Sequence, residues 1–145
     1  MLVRKILVVC VGNICRSPVG ERLLQQALPD RTVTSAGLGA LVGKPADALA
    51  AEVAADHGLS LDRHIAQQFT PQLGSEQDLI LVLEPGHKHE IARISPQLSG
   101  RVMLLDQFTG GKGIADPYRR SREFHESVFE QIRAASAAWA ARLKR

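Results

Sequence analysis

The first element of the fold is encoded in Lys5-Ile6-Leu7-Val8-Val9-Cys10-Val11-Gly12-Asn13-Ile14-Cys15-Arg16-Ser17-Pro18, where an apolar run leads through a loop into a helix start. A continuous apolar run of this kind is typical of a strand that is buried on both faces of a parallel sheet. Ser17 and Pro18 match the N-cap and the first position of a helix. The stretch therefore predicts a buried strand, a tight loop and a helix in immediate succession.

Strand-like and helix-like segments alternate along the rest of the chain. We predict further strands over residues 32–35, 78–83 and 101–105, and helices over 19–28, 47–57 and 87–94. A last helix is indicated by an apolar stripe with three- and four-residue spacing: Phe124, Val128, Ile132, Ala135, Trp139 and Leu143. This alternation predicts an α/β fold, an open four-stranded parallel sheet with helices on both faces. The loop after the first strand lies where such sheets usually bind ligands.

Composition and charge narrow the class of protein. The 145 residues, 45% of them hydrophobic and 23% charged, suit a single globular domain over 1–145. The net charge of +3 favours an anionic substrate, but the basic residues are too scattered for a dedicated nucleic-acid binder. The apolar run near the N-terminus is too short for a signal peptide or a membrane span. We therefore expect a cytoplasmic, monomeric protein with no nucleic-acid partner and no membrane insertion.

The loop between Cys10 and Ser17 has the features of an anion site. Successive N–H groups of a tight strand-to-helix loop converge on one point, where the helix dipole adds positive partial charge. Gly12, and also Asn13, suit the positive φ angles of such a curve. Arg16 provides a bidentate fork for two phosphate oxygens. This setting favours Cys10 as a thiolate nucleophile beneath the phosphate, with the Ser17 hydroxyl as its hydrogen-bond donor.

A thiolate that accepts a phosphoryl group needs an acid on the opposite side to protonate the leaving group. Asp116 is the candidate, because it follows a glycine-rich segment after the fourth predicted strand and precedes Pro117, which restricts the loop. Asp116-Pro117 is equally consistent with a simple turn ahead of the last helix. The chemistry of the residues leaves both interpretations open.

These residues closely resemble the low-molecular-weight protein tyrosine phosphatases. The resemblance rests on residues 9–18 and on Asp116-Pro117-Tyr118, includes Ser35-Ala36-Gly37 and extends over nearly the whole chain. It is greatest to the bacterial branch associated with exopolysaccharide and capsule export. The resemblance implies a protein-tyrosine-phosphatase, a phosphoric monoester hydrolase that uses no metal and no other cofactor. It also implies that the partner is a phosphotyrosine protein, an autophosphorylated bacterial tyrosine kinase.

The family pattern assigns roles to individual residues of this sequence. It implies that Cys10 forms a phosphocysteine, that Arg16 binds the phosphoryl group, and that Asp116 is general acid and then general base. The expected phosphate-binding residues are Val11, Gly12, Asn13, Ile14, Cys15, Arg16 and Ser17. The expected supporting residues are Asn13, Ser17, Ser35 and His64, and the expected cleft residues are Ile14, Leu41 and Tyr118.

The cleft residues indicate the substrate. Relatives that cleave phosphoarginine resemble this loop but have threonine at the position of Ile14, where a hydroxyl helps to orient water. Ile14 offers only apolar bulk, and Tyr118 with Leu41 adds walls that fit a phenyl ring. A deep cleft also keeps the short phosphoserine side chain from reaching Cys10. We therefore expect phosphotyrosine as the substrate.

Several residues raise secondary expectations. Gly20 and Gln67 depart from the family pattern, which usually has alanine and arginine there, and Gln67 puts one supporting contact in doubt. His87 and His89 are expected at the surface, because i, i+2 spacing on a helix separates the two rings and argues against a shared metal. His125 is likewise expected to be exposed.

Two other functions remain open at this point. An arsenate reductase of the same fold needs further cysteines to pass a disulfide onward, and the chain has only Cys10 and Cys15. A non-catalytic phosphate-binding module needs neither a nucleophile nor an acid, yet both motifs are intact. Hydrolysis of p-nitrophenyl phosphate without added metal distinguishes the phosphatase from the module.

Overall fold

Four parallel strands form the centre of the molecule: β1 (Lys5–Cys10), β2 (Thr32–Gly37), β3 (Leu79–Val82) and β4 (Val102–Leu104). Their spatial order is β2-β1-β3-β4. The helices are α1 (Arg16–Ala27), α2 (Ala48–Asp56), α3 (Pro71–Ser75), α4 (Pro85–Ile94) and α5 (Arg122–Leu143), with a 3-10 helix at Pro96–Arg101. The computed structural model describes residues 2–144. The predicted single domain over 1–145 includes Met1 and Arg145, which lie outside the described residues, and it stays a prediction.

Strand β1 is buried on both faces because alternate side chains enter two separate cores. Ile6 and Val8 pack against one core with residues of α1, α2 and α5. Leu7 and Val9 pack against the other core, which includes Ile91 of α4. The predicted open parallel sheet with helices on both faces is confirmed.

The order of the strands determines where a ligand can bind. β1 and β3 are neighbours, and the chain leaves β1 toward β2 on one side and leaves β3 toward β4 on the other. Such a topological switch point is the usual binding crevice of an open α/β sheet. Cys10 is in register with Gly37, and Val9 with Val82. The segments that follow these three strands therefore meet at one edge of the sheet.

Helix α1 begins earlier than the sequence predicts. Arg16 is its first residue, Cys15 is the N-cap, and no side chain caps the helix. Ser17 and Pro18 lie within the first turn, so the predicted N-cap at Ser17 is wrong. The N–H groups of an uncapped first turn have no partner within the helix and are available to a ligand.

Two short elements are absent from the sequence prediction. Both α3 and the 3-10 helix begin with proline, and Thr70 caps α3 by accepting a hydrogen bond from the Leu73 N–H at 3.1 Å. β2 also extends beyond its predicted end to Gly37. The predicted stripe of α5 is buried at Val128, Ile132, Ala135 and Trp139. Within residues 2–144, no helix combines the length and apolar character that a membrane span requires.

Candidate active site

The loop after β1 turns its carbonyl groups outward. The carbonyl oxygens of residues 10–14 accept hydrogen bonds from the N–H groups of Leu38, Gly39, Leu41 and Asp47 and from His64 Nε2, at 2.6–3.1 Å. The N–H groups of residues 11–15, by contrast, donate to no protein group in the described part of the chain. Free N–H groups on successive residues of a tight loop form an anion-binding nest. This arrangement agrees with the predicted phosphate-binding loop.

The curvature of the loop depends on two residues. Asn13 adopts a left-handed conformation with φ 59°, which asparagine tolerates better than most residues. Gly12, for which a positive φ was also expected, does not adopt one. Gly37 of β2 allows the strand to approach the loop, because a Cβ there would lie 2.3 Å from the Val11 carbonyl oxygen. The loop therefore packs directly against the end of β2.

A hydrogen-bonded chain leads from Asn13 to the sulfur of Cys10. Asn13 Nδ2 donates to Ser17 Oγ at 2.8 Å, and Ser17 Oγ lies 2.8 Å from Cys10 Sγ. Because the Asn13 amide occupies an acceptor position of Ser17, the hydroxyl hydrogen is free to point at the sulfur. A deprotonated Cys10 can only accept, so the Ser17 hydroxyl is placed to donate to a thiolate.

The supporting residues lie behind this chain. Ser35 Oγ accepts from Asn13 Nδ2 at 3.0 Å and donates to Glu21 Oε1 at 2.7 Å. The Gln67 N–H donates to Asn13 Oδ1, and Gln67 Nε2 donates to the Ser35 carbonyl, both at 2.9 Å. His64 Nε2 donates to the Asn13 carbonyl at 2.6 Å. Gln67 thus makes a supporting contact of its own where the sequence left one in doubt.

Arg16 is 1% exposed, and its hydrogen bonds to residues 2–144 use a single nitrogen. Its Nη1 donates to the Glu84 carboxylate and to the Ile114 carbonyl oxygen, the latter at 2.6 Å. Nε and Nη2 form no hydrogen bond to the rest of residues 2–144, and Nη2 lies 3.9 Å from Asp116 Oδ2. The Nε–Nη2 edge of the guanidinium is therefore free to bind two oxygens of an anion.

The nest opens into a cleft of about 190 Å³. Its lining includes Cys10, Arg16, Ile14, Leu41, Asp116 and Tyr118. Leu41 and Tyr118 line the cleft and are 44% and 39% exposed, which places them at its mouth. The structure thus brings together the predicted catalytic residues and the predicted cleft residues.

Asp116 is held at the edge of the cleft by its own loop. Its Oδ1 accepts a hydrogen bond from the Tyr118 N–H at 3.0 Å, which leaves Oδ2 toward Arg16. Its side chain is 49% exposed, whereas Pro117 is buried beside it. The Asp116-Pro117 turn therefore precedes α5 and also places a carboxyl group in the cleft.

The two cysteines have different surroundings. Burial raises the pKa of the Cys15 thiol far above its ordinary value, and the carboxylates of Asp47 and Asp116 raise it further. Cys15 Sγ also forms no hydrogen bond among the described residues, whereas Cys10 Sγ contacts Ser17. Cys15 is thus a protonated thiol, and Cys10 is the sulfur suited to nucleophilic attack.

Two histidines that we expected at the surface are buried. His87 lies on the inner face of α4 together with Ile91, and its Nε2 is 3.6 Å from Glu84 Oε2. Burial lowers the pKa of His87, and the Arg16 charge lowers it further. His125 is 4% exposed and packs in α5 near Cys15. No cluster of three or more residues suited to a metal ion occurs in the described chain.

Sequence reasoning missed two acids of this site, Glu84 and Glu21. Glu84 holds Arg16, and Glu21 accepts from Ser35. The position of Glu84 just after the third strand was an available signal, because parallel strands bring their carboxyl ends to one edge. No such signal marks Glu21, because it lies within α1 and not at the end of a strand.

Comparison with known proteins gives a consistent result. The model of a family described as low molecular weight phosphotyrosine protein phosphatase matches residues 5–145. The low molecular weight protein-tyrosine-phosphatase Wzb of Salmonella typhimurium is 50% identical over 136 residues, which cover 94% of this chain and 91% of that protein. The structure of Vibrio vulnificus Wzb in complex with benzylphosphonate has a TM-score of 0.95 at 50% identity, covering 97% of this chain and 99% of that chain.

A more distant relative is named for a different activity. The YwlE arginine phosphatase of Geobacillus stearothermophilus is similar at a TM-score of 0.90 and 30% identity, covering 97% of this chain and 93% of that chain. It shares the fold with this chain at lower sequence identity than the bacterial tyrosine phosphatases do.

The chain belongs to the low molecular weight phosphotyrosine protein phosphatase family. It is a protein-tyrosine-phosphatase, with similar bacterial relatives that include the Wzb enzymes of Salmonella and Vibrio. The family and the enzyme class predicted from the sequence are confirmed.

Proposed function

We propose that this enzyme hydrolyses phosphotyrosine in proteins through a phosphocysteine on Cys10. The observation that carries the proposal is the set of free N–H groups at residues 11–15, which surround Cys10 together with the free edge of Arg16. Donors fixed in this way stabilise the charge on a transferring phosphoryl group without reorganisation. A binding module has no need for the Ser17 contact to Cys10, and an arsenate reductase needs a further cysteine.

In the first step, the Cys10 thiolate attacks phosphorus, so that an S–P bond forms and the bond to the tyrosine oxygen breaks. Asp116 gives its proton to the departing phenolate. Arg16 and the loop amides hold the three remaining phosphoryl oxygens. Ser17 donates to the sulfur, which stabilises Cys10 as thiolate before attack and as leaving group afterwards.

In the second step, water attacks the phosphocysteine. The Asp116 carboxylate accepts a proton from this water as the new P–O bond forms and the S–P bond breaks. Inorganic phosphate leaves, and the Cys10 thiolate and protonated Asp116 are restored. Neither step requires a metal or another cofactor.

The mouth of the cleft favours an aromatic substrate. Leu41 and Tyr118 are exposed on the lining and provide apolar walls for a phenyl ring. Benzylphosphonate, which is bound by the Vibrio relative, likewise joins a phenyl ring to a phosphonate. We infer that the partner is an autophosphorylated bacterial tyrosine kinase in exopolysaccharide production, and that the enzyme acts on it as a cytoplasmic monomer.

Replacement of Asp116 by alanine tests the acid in this mechanism. We expect kcat/KM to fall about 100-fold or more for phenyl phosphate, because general acid catalysis contributes on this scale. The fall should be much smaller for 2,4-dinitrophenyl phosphate, whose leaving group needs no proton. Rates with both esters in metal-free buffer provide the measurement.

Asp30→Ala is the matched control for the Asp116 variant, because the Asp30 side chain is 75% exposed and pairs with Arg31, its sequence neighbour. It should leave both rates near those of the wild type. Equal losses for good and poor leaving groups in Asp116→Ala would assign the acid to another residue.

Ile14→Thr tests the substrate specificity. We expect the wild type to prefer phosphotyrosine peptides over phosphoarginine and phosphoserine peptides. A threonine hydroxyl at the cleft should raise kcat/KM for phosphoarginine about tenfold, because the free energy of one added hydrogen bond corresponds to a change of this size. Val11→Thr makes the same kind of change at another lining residue and should give no such gain. Preference of the wild type for phosphoarginine would overturn the specificity but not the Cys10 chemistry.

A further inference from the structure

A buried carboxylate, Asp106, lies at the start of the loop that carries Asp116. Asp106 is 6% exposed, and its Oδ2 accepts hydrogen bonds from the N–H groups of Lys112 at 3.1 Å and Gly113 at 2.9 Å. Its backbone carbonyl accepts from the Gly111 N–H at 2.8 Å. The side-chain carboxylate and the backbone carbonyl of Asp106 therefore both hold the loop of residues 111–113.

The loop needs such a tie because its composition makes it intrinsically mobile. Gly110, Gly111 and Gly113 all have φ between 71° and 137°, a conformation that glycine adopts freely but does not prefer. A glycine-rich segment loses much conformational entropy when it is ordered, so contacts must compensate for this loss. Gly113 offers no side chain for packing, and a Cβ at that position would approach Pro85 and Glu84 within 3.3 Å.

The backbone that follows Gly113 leads directly into the catalytic cleft. The next residue, Ile114, donates its N–H to the Leu83 carbonyl at 2.8 Å, and its carbonyl accepts from Arg16 Nη1 at 2.6 Å. Its side chain is 1% exposed in the core. Asp116 follows two residues later, with Oδ2 3.9 Å from Arg16. The support of the catalytic acid is thus continuous, because it runs from Asp106 through Gly113 and Ile114 to Asp116.

We propose that Asp106 is a positioning residue, whose carboxylate fixes the glycine-rich loop so that Asp116 is held where proton transfer occurs. This inference rests on the proposed role of Asp116 as general acid. Asp106 does not line the cleft and forms no hydrogen bond with residues 10–17. Because Glu84 also holds Arg16, loss of the Asp106 carboxylate should affect the protonation of the leaving group more than phosphate binding.

The test compares Asp106→Ala with Asp106→Asn on aryl phosphates of graded leaving-group ability. Asp106→Ala should lower kcat/KM for phenyl phosphate about tenfold or more, because small displacements of a reacting group are costly. The rate with 2,4-dinitrophenyl phosphate and the inhibition constant of inorganic phosphate should stay near their wild-type values. Asp106→Asn keeps an oxygen acceptor for both N–H groups and should restore most of the rate. Gln107→Ala, at the exposed residue next to Asp106, is the control that leaves the rates unchanged.

A double-mutant cycle with Asp116→Ala separates positioning from a general loss of structure. If Asp106 acts through Asp116, Asp106→Ala should cause no further loss with phenyl phosphate once Asp116 is absent. Additive losses, or an equal loss for all esters, would overturn the inference. Absence of leaving-group dependence in Asp116→Ala alone would instead overturn the proposed acid. If Asp106→Ala does not fold, Asp106→Ser replaces it, because the serine side chain is too short to reach the Lys112 N–H. The same changes in rate are then expected for Asp106→Ser.

Discussion

Cys10→Ser is expected to abolish turnover while leaving the binding of inorganic phosphate intact. Serine is a far weaker nucleophile than a cysteine thiolate, and no neighbouring residue of the site is placed to deprotonate it. The loss should reach at least about 10⁵-fold, as when other enzymes lose their nucleophile. The amides of residues 11–15 and the free edge of Arg16 remain, so phosphate should bind with an affinity similar to that of the wild type.

Turnover of p-nitrophenyl phosphate and calorimetric titration with phosphate measure these two effects separately. Cys15→Ser provides the comparison, because it changes the other cysteine of the loop but keeps the backbone N–H. That variant should retain readily measurable turnover. Substantial activity in Cys10→Ser would remove Cys10 from the mechanism, whereas loss of phosphate binding would show that the sulfur itself maintains the nest.

Arg16→Lys is expected to lower kcat/KM by about 100-fold to 1,000-fold, the usual effect of removing a fixed donor from a charge-stabilising site. A lysine ammonium is a point charge and cannot both pair with Glu84 and present two coplanar N–H groups to phosphate. The buried Arg16 does both at once, with Nη1 on Glu84 and its other edge open. The loss should appear in phosphate affinity as well as in turnover.

Steady-state rates and phosphate inhibition constants measure this effect, with thermal denaturation as a check that the variant is folded. Arg93→Lys is the matched control, because the Arg93 side chain is 72% exposed and pairs with Glu90 within α4. It should behave like the wild type. If Arg16→Lys keeps kcat/KM within about tenfold of the wild type, charge alone suffices and the bidentate geometry is not required.

The sequence predicted the parts of the molecule whose signals are local. The apolar run of β1 and the spacing from Cys10 to Arg16 lie within one short segment, so the strand, the loop and the nest followed from them. The sheet followed from the alternation of strands and helices. Leu41 was assigned by resemblance alone, yet it lies in the cleft lining.

The start of α1 shows why one strong local rule failed. Ser17 has the identity of an N-cap, but its hydroxyl accepts from Asn13 and faces Cys10. A capping serine would use the N–H groups that an anion needs, so the binding site overrides the usual helix signal. Local rules are expected to fail at such functional positions.

The other errors come from contacts between distant segments. Glu84 meets Arg16 across 68 positions of sequence, and Asp106 holds a loop whose glycines gave no hint of a partner. The burial of His87 and His125 depends on which faces of α4 and α5 pack inward. Helical spacing was an available signal, because His87 lies four residues before Ile91, and His125 lies three residues before Val128 and seven before Ile132.

Main-chain atoms build the nest, and this has an evolutionary consequence. The carbonyl groups of residues 10–14 anchor the loop, and its amides bind the anion, so neither task depends on the side chains of Val11 or Ile14. Both side chains line the cleft, so their replacement alters the cleft surface and leaves the main-chain donors in place. Related enzymes can therefore differ in substrate specificity while they keep the same catalytic chemistry. The same fold in an arginine phosphatase of 30% identity agrees with this evolvability.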